Sequence, residues 1–215
     1  MVRVGLIGCG FMGNMHSNVY SALEGAELVG VRDREESRAN EFGEKWSAKI
    51  YSSAAEMLAD PEIDLIDVCL PTDQHAKYTS LAAEAGKHVI CEKPMALSLS
   101  DADSMIEAAE NAGVKFMVAH CIRFWPEYQI LEKYVKSGEL GELQSINLLR
   151  YGAFPTYTLN NWAANPEVAG GAMDMHIHDT DFILHLLGEP DNMNAWGSKD
   201  ETGVGQFFTT MTYGN

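Results

Sequence analysis

From residue 1 to about residue 120, short apolar runs alternate with longer segments of helical spacing, and this alternation restricts the fold more than any other feature. The runs "VRVGLIG", "AELVGVRD", "AKIY", "IDLIDVCLP", "KHVICEKP" and "VKFMVAHC" have strand character. Between them lie "FMGNMHSNVYSAL", "REESRANEFGEKW", "SAAEMLAD", "DQHAKYTSLAAEAG" and "SLSDADSMIEAAENAG", all of helical spacing. Gly86 and Gly113 stand where two of these helices should stop, and Ser100 is the expected N-cap of the last. Strands that are apolar nearly throughout are covered on both faces, so the expected fold is α/β, a doubly wound parallel sheet.

After residue 121 the pattern changes. "PEYQILEKYVKSG" and "GGAMDMHIHDTDFILHLLG" read as helices, "LQSINLLRYGAF" as a strand, and residues 153–170 as an irregular loop. Two further β-type runs follow, "DNMNAWGS" and "GQFFTTMTYG". This predicts an α+β region with a mainly antiparallel open sheet. "TYGN" has hairpin-turn character with no returning strand behind it, so the second domain is expected to be incomplete at its C-terminus.

Charge and composition remove several function classes. Thirty-one acidic residues against fifteen Lys and Arg give a formal charge of −16, which argues against nucleic acid or an anionic membrane surface as partner. No apolar run approaches the ~20 residues of a membrane span. The chain enters a strand at once, leaving no room for a signal peptide. Cys9, Cys69, Cys91 and Cys121 show no CxxC or zinc spacing and read as reduced, partly buried thiols. The expected location is the cytoplasm.

"GCGFMG" places Gly8, Gly10 and Gly13 in G-x-G-x-x-G spacing around Phe11 and Met12, with a strand before, a helix after, and Asp33 twenty residues beyond the last glycine. That context predicts a dinucleotide site: a tight turn, bare backbone against the pyrophosphate, a helix N-terminus aimed at the phosphates and a carboxylate for the ribose diol. Residues 1–121 are thus expected to form a dinucleotide-binding Rossmann domain and 122–215 a substrate and oligomerisation domain. Asp33 favours NAD, because a carboxylate repels a 2′-phosphate; Arg32, Arg34 and Arg38 leave NADP open. Substrate is expected beyond the carboxyl ends of the strands, where Pro71 and Pro94 stiffen two loops. His75 opens a helix there, facing the nucleotide or simply solvated on the helix surface.

"GCGFMG", "DVCLPTDQHAKYTSLAAEAGKHVICEKPMA", "RFWPEYQILEKYVKSGELGEL" and "GGAMDMHIHDTDFILHLLG" together resemble the Gfo/Idh/MocA oxidoreductases, the glucose–fructose oxidoreductase and inositol 2-dehydrogenase family. The resemblance runs from residue 2 to about residue 190. It implies a Rossmann domain followed by an α+β domain whose open sheet supplies the substrate site and often an oligomer interface, here a homo-oligomer. Glu92, Lys93 and Pro94 match the family's E-K-P motif, with the proline commonly cis and the lysine between nicotinamide and substrate. An ammonium there would hold or polarise a substrate oxygen while hydride leaves the adjacent carbon.

The family's D-x-x-x-H pattern maps onto Asp174 and His178, which share a helix face at i and i+4. A histidine, with an unperturbed pKa of roughly 6.5, suits removal of a hydroxyl proton, and a nearby carboxylate would orient it. A metal site among Asp174, His176, His178, Asp179 and Asp181 is not expected, since His176 and His178 would point about 200° apart on a helix. Arg123 matches an arginine the family places near substrate, or else is a packing and ion-pair residue. Trp162 and Tyr157 could stack on a sugar ring or lie buried at a domain junction. The implied activity is NAD(P)-dependent oxidation of a secondary alcohol of a polyol, cyclitol or sugar; the alternatives are a nucleotide sensor without turnover and an inactive fragment.

Overall fold

A computed structural model describes residues 1–151, 162, 165, 168, 171–199 and 205–214. The chain falls into two compact units, one built on Met1–Ala119 and the other beginning at His120.

The first unit is a six-stranded sheet of β1 (Val2–Ile7), β2 (Ala26–Arg32), β3 (Lys49–Ile50), β4 (Leu65–Val68), β5 (His88–Cys91) and β6 (Phe116–Val118), ordered β3-β2-β1-β4-β5-β6. Every neighbouring pair is parallel. The crossovers carry α1 (Phe11–Ala22), α2 (Glu36–Trp46), α3 (Ala54–Ala59), α4 (His75–Glu84) and α5 (Leu99–Ala112). The strand order reverses between β1 and β4, the place where open α/β sheets form their crevice.

The apolar strands are explained by cover on both sides. Successive residues of β1 enter different cores: Leu6 packs with Cys9, Val31, Phe42 and Ala48, while Ile7 packs with Met57, Ile66, Val68, Val89 and Met105. Each such side chain contributes about 1.5–3 kcal/mol by leaving water. Gly113 ends α5 in the left-handed region at φ 66°. Ser98, two residues before the expected cap, begins that helix by accepting from the Asp101 N–H at 3.1 Å. Ser98-x-x-Asp101 and Ser100-x-x-Asp103 have the same spacing, and the fold uses the first.

In the second unit α6 (Pro126–Ser137) and α7 (Gly171–Leu187) accompany an antiparallel pair, β7 (Asn192–Lys199) and β8 (Gly205–Thr212). Its core centres on Ile122, Phe182 and Leu186, with the Tyr128 ring edge-on to Phe182 at 4.7 Å. The strand expected over "LQSINLLRYGAF" does not form in its described part: residues 143–151 have no regular structure, and residues 152–154 lie outside the described residues. Ile146 and Leu148 explain the β-like alternation, because both pack on the Phe182 cluster, while among the described residues no strand pairs with their backbone.

Candidate functional site

The glycines after β1 do two different jobs. A Cβ on Gly8 would lie 2.3 Å from the Cys69 carbonyl oxygen, and one on Gly13 would lie 2.2 Å from that of Gly8. Those two are required by packing, and Gly8 also sits at φ 108°. A Cβ on Gly10 would meet nothing within 4 Å, so its bareness leaves room rather than resolving a clash. Gly10 is also the N-cap of α1, with no side-chain cap and no acid in the first turn. The N-terminal amides and positive dipole end of the helix are therefore met by no side-chain cap and no first-turn acid, the condition in which a helix start can receive an anion. Phe11 and Met12 are exposed beside it.

Asp33 follows β2 and is buried, and its carboxylate is held from three directions. It accepts from the Cys9 N–H at 2.9 Å, from the Glu35 N–H at 2.9 Å, and from Arg38 Nη1 at 3.2 Å to both oxygens. The acid is thereby locked against the glycine turn. Arg34 is exposed, with Nε 3.6 Å from Glu35 Oε1. A cavity of about 240 Å³ opens beside Gly10, lined by Cys9, Asn14, Arg38, Glu41, Phe42 and Lys45. Burial and then the neighbouring Asp33 charge push the Cys9 thiol up to about 12, so it stays protonated.

At the ends of β4 and β5 the chain brings the two expected loops together. Pro71 is half-buried and precedes a short 3-10 turn, Thr72–Gln74. Lys93–Pro94 is a cis peptide. His75 does not face outward: it is 1 % exposed, with Nδ1 2.8 Å from the Pro94 carbonyl oxygen and Nε2 2.8 Å from that of Leu70. Its ring clamps the β4 and β5 loops to each other and has no nitrogen left for a nucleotide. The reason is local. Starting a helix directly beneath both loops puts the first side chain under them rather than over the cleft.

The E-K-P segment itself carries a buried ion network that the sequence reading missed. Glu92 Oε1 lies 3.0 Å from His16 Nε2, and His16 Nδ1 lies 2.8 Å from Asp67 Oδ2. Tyr20 donates to the same Asp67 oxygen at 2.8 Å, and Glu92 Oε2 accepts from the Lys93 N–H at 2.9 Å. Burial alone would lower the His16 pKa, but the hydrogen bonds and charges of Asp67 and Glu92 outweigh it and push it up to about 10. Burial raises Glu92, and the His16 hydrogen bond and charge more than reverse that. A signal was present: an aspartate in the middle of the buried run "IDLIDVCLP" must find a partner.

In the second unit Asp174 and His178 stand four residues apart on α7, both half-buried. Arg123 is an ion-pair residue in this unit. Its Nε donates to Asp181 Oδ2 at 2.8 Å and its Nη2 to Oδ1, while His120 Nε2 lies 3.6 Å from that carboxylate. Arg150 forms the same two-pronged pair with Asp179, at 2.8 Å for each contact. Two arginines thus fix the helix that carries Asp174 and His178. Asp179 and Asp181 are the carboxylates that these arginines clamp. Trp162 is half-buried and groups with the first unit; Tyr157 lies outside the described residues.

A parallel sheet with a glycine turn, an uncapped helix start and a locked acid after β2 defines a dinucleotide-binding oxidoreductase architecture. Residues 2–120 match the Gfo/Idh/MocA profile described as an oxidoreductase family with an NAD-binding Rossmann fold, and residues 128–215 match the Gfo/Idh/MocA C-terminal domain. The chain belongs to the Gfo/Idh/MocA oxidoreductase family. It is 32% identical over 194 residues to the myo-inositol 2-dehydrogenase of Thermotoga maritima, covering 87% of this chain and 55% of that one. It is 31% identical over 198 residues to the 2,7-anhydro-N-acetylneuraminate hydratase of Escherichia coli, covering 92% and 53%. The WlbA dehydrogenase of Bordetella pertussis, solved with NADH and UDP-GlcNAcA, superposes with a TM-score of 0.83 at 27% identity, covering 92% of this chain and 58% of that one. The chain spans about half the length of the curated relatives it matches. Among the described residues no helix is long and apolar enough to cross a membrane.

Proposed function

We propose that the protein is an NAD-dependent dehydrogenase acting on a secondary alcohol of an inositol, other polyol or sugar. The observation that carries the cofactor reading is the pairing of the open Gly10 face with the locked Asp33 carboxylate. Gly8, Gly10 and Gly13 would bring backbone amides to the pyrophosphate, with Phe11 and Met12 beside it. Asp33 would accept from the adenosine ribose, and its negative charge disfavours a 2′-phosphate; Arg38 is already engaged by that carboxylate. Bound NAD would supply the hydride acceptor.

The remaining steps belong to side chains. Glu92 and Pro94 set the backbone, and Lys93 holds the substrate oxygen as negative charge builds on it. His178 takes the hydroxyl proton, and Asp174, on the same face of α7, steadies the resulting imidazolium. Trp162 would contribute an apolar wall. The inositol dehydrogenase relative supports a polyol substrate, and the hydratase relative shows that the family scaffold also serves a different net reaction. Four cysteines outside any disulfide suit the cytoplasm. The exposed Trp196, Phe207 and Phe208 on β7 and β8 suit self-association.

Titration of NAD and NADP against tryptophan fluorescence, paired with absorbance at 340 nm over a panel of inositols and sugars, tests this reading. Expected are NAD binding and turnover that vanishes in Lys93→Ala and His178→Ala. Binding without turnover on every polyol would replace the dehydrogenase with a nucleotide sensor or an inactive fragment. Absence of binding would remove the cofactor reading.

A further inference from the structure

We propose that His16 is a positioning residue: its ring, clamped between the Asp67 and Glu92 carboxylates, fixes the backbone from which Lys93 projects. The proposal rests on the reading of Lys93 as the group that holds the substrate oxygen.

The chain of contacts is continuous. Asp67 belongs to β4 and is 0 % exposed, so its position is set by the sheet itself. It meets His16 Nδ1 at 2.8 Å, His16 Nε2 meets Glu92 Oε1 at 3.0 Å, and Glu92 Oε2 receives the Lys93 N–H at 2.9 Å. Both ring nitrogens face carboxylate oxygens, which only accept, so both nitrogens donate and the ring carries a proton on each. Asp67 and Cys69 face the ring from β4 and the residue just beyond it, and Glu92 from the end of β5. Behind them, Tyr20 of α1 donates to Asp67, and the Lys93 charge acts on Glu92. One cation between two buried carboxylates balances a pair that could not both stay ionised without it.

A metal ion is the other candidate for this place, because Cys69 Sγ lies 3.4 Å from both His16 Nδ1 and Asp67 Oδ1. Two ligands sharing a tetrahedral ion at about 2.0–2.1 Å each stand about 3.3 Å apart. His16 Nδ1 and Asp67 Oδ2 stand 2.8 Å apart, a hydrogen-bond separation. Asp67 also receives Tyr20 on that oxygen, and burial drives the Cys69 thiol far from ionisation. The site holds a proton.

The consequence is that α1, whose first turn is aimed at the cofactor phosphates, and the Lys93 loop are joined through one ring. Displacing the ring shifts Lys93 while the ring itself bonds neither the glycine turn nor Asp33. Misplacement of a reacting group by about 1 Å costs about 100-fold in rate.

The full chain labelled with ¹⁵N-histidine decides the first part. Long-range ¹H–¹⁵N spectra at pH 8.5 should show a doubly protonated imidazole that disappears in His16→Gln; a neutral His16 overturns the proposal. In steady-state assays His16→Gln should lower kcat about 10–100-fold with the KM for NAD within twofold. The acid limb of its kcat profile should move to higher pH as Glu92 loses its partner. An unchanged kcat and profile overturn the proposal. Should His16→Gln fail to fold, Glu92→Gln takes its place in the kinetic arm, with the same expected loss of kcat and an unchanged kcat overturning the proposal. Should wild type turn over no polyol or sugar, the dehydrogenase reading falls separately. The clamp is then judged by hydrogen exchange of the Lys93 amide, expected to be about 10-fold faster in His16→Gln or, failing that variant, Glu92→Gln, and unchanged if the proposal is wrong.

Discussion

The two units solve the same problem, holding a charged side chain in place, by opposite means. In the first, His16 sits inside the protein between carboxylates that are 0 % and 6 % exposed, and the strands carrying or adjoining them are paired on both sides. In the second, Arg123 and Arg150 reach from outside α7 to Asp181 and Asp179, with roughly a third of each arginine side chain still in water. Burial makes the first network expensive to break but insensitive to salt. Partial exposure makes the second adaptable and weaker. A cofactor that is always the same can be met by a rigid frame, whereas the helix carrying Asp174 and His178 would belong to the part that differs between substrates.

The largest expected effects are chemical. Lys93→Ala and His178→Ala should each lower kcat by about 10²–10⁴-fold while leaving NAD affinity within a few fold, as read from single-turnover absorbance at 340 nm and fluorescence titration. An equal loss in NAD affinity would place either residue at the cofactor instead. Next comes the direct comparison of the networks. Asp67→Ala strips a partner from a buried cation and should cost about 3–5 kcal/mol in urea unfolding. Asp181→Ala leaves an arginine that can reach water, and about 1–2 kcal/mol is expected. Equal costs would erase the distinction drawn between the units.

Smaller again is the contrast within the glycine turn. Gly13→Ala forces a Cβ against the Gly8 carbonyl oxygen and should destabilise by about 1–3 kcal/mol. Gly10→Ala meets nothing and should cost about 1 kcal/mol or less, yet weaken NAD binding at least 10-fold because the added methyl occupies the phosphate approach. If Gly10→Ala binds NAD as wild type does, the open face is not the cofactor's. The least of these effects near neutrality is the pH dependence. His16 titrates higher folded than unfolded, so its contribution is complete below about pH 6.5 and is lost as pH rises through about 10. The gap in urea midpoint between wild type and His16→Gln should therefore narrow between pH 7 and pH 10.5. A gap that widens would reverse the assigned charge.

How much of this could be read from the residues alone follows distance along the chain. The parallel order, the glycine turn and Asp33 were legible because each depends on contiguous or evenly spaced residues. The stops at Gly86 and Gly113 were equally plain, at φ 74° and 66°. The N-cap was misplaced from Ser98 to Ser100 because two serines, each followed three residues later by an aspartate, compete there, and only the geometry selects between them. His75 was expected either facing the nucleotide or solvated on the helix surface, and is instead buried between the β4 and β5 loops. Glu92 and Lys93 were legible as a motif, but the reason for the glutamate was not: its partner is 76 residues away in sequence.

By itself, then, the sequence determined the elements, the side on which a dinucleotide is expected, and the residues available for acid–base work. Those follow from period, spacing and residue chemistry, which are local. Tertiary structure decided which charges are interior and which arginine meets which carboxylate. It also decided whether residues 143–151 would find a strand to pair with. A buried charge or an unpaired backbone amide is satisfied only by what the fold brings beside it, and that neighbour is set by the packing of elements far apart in the chain.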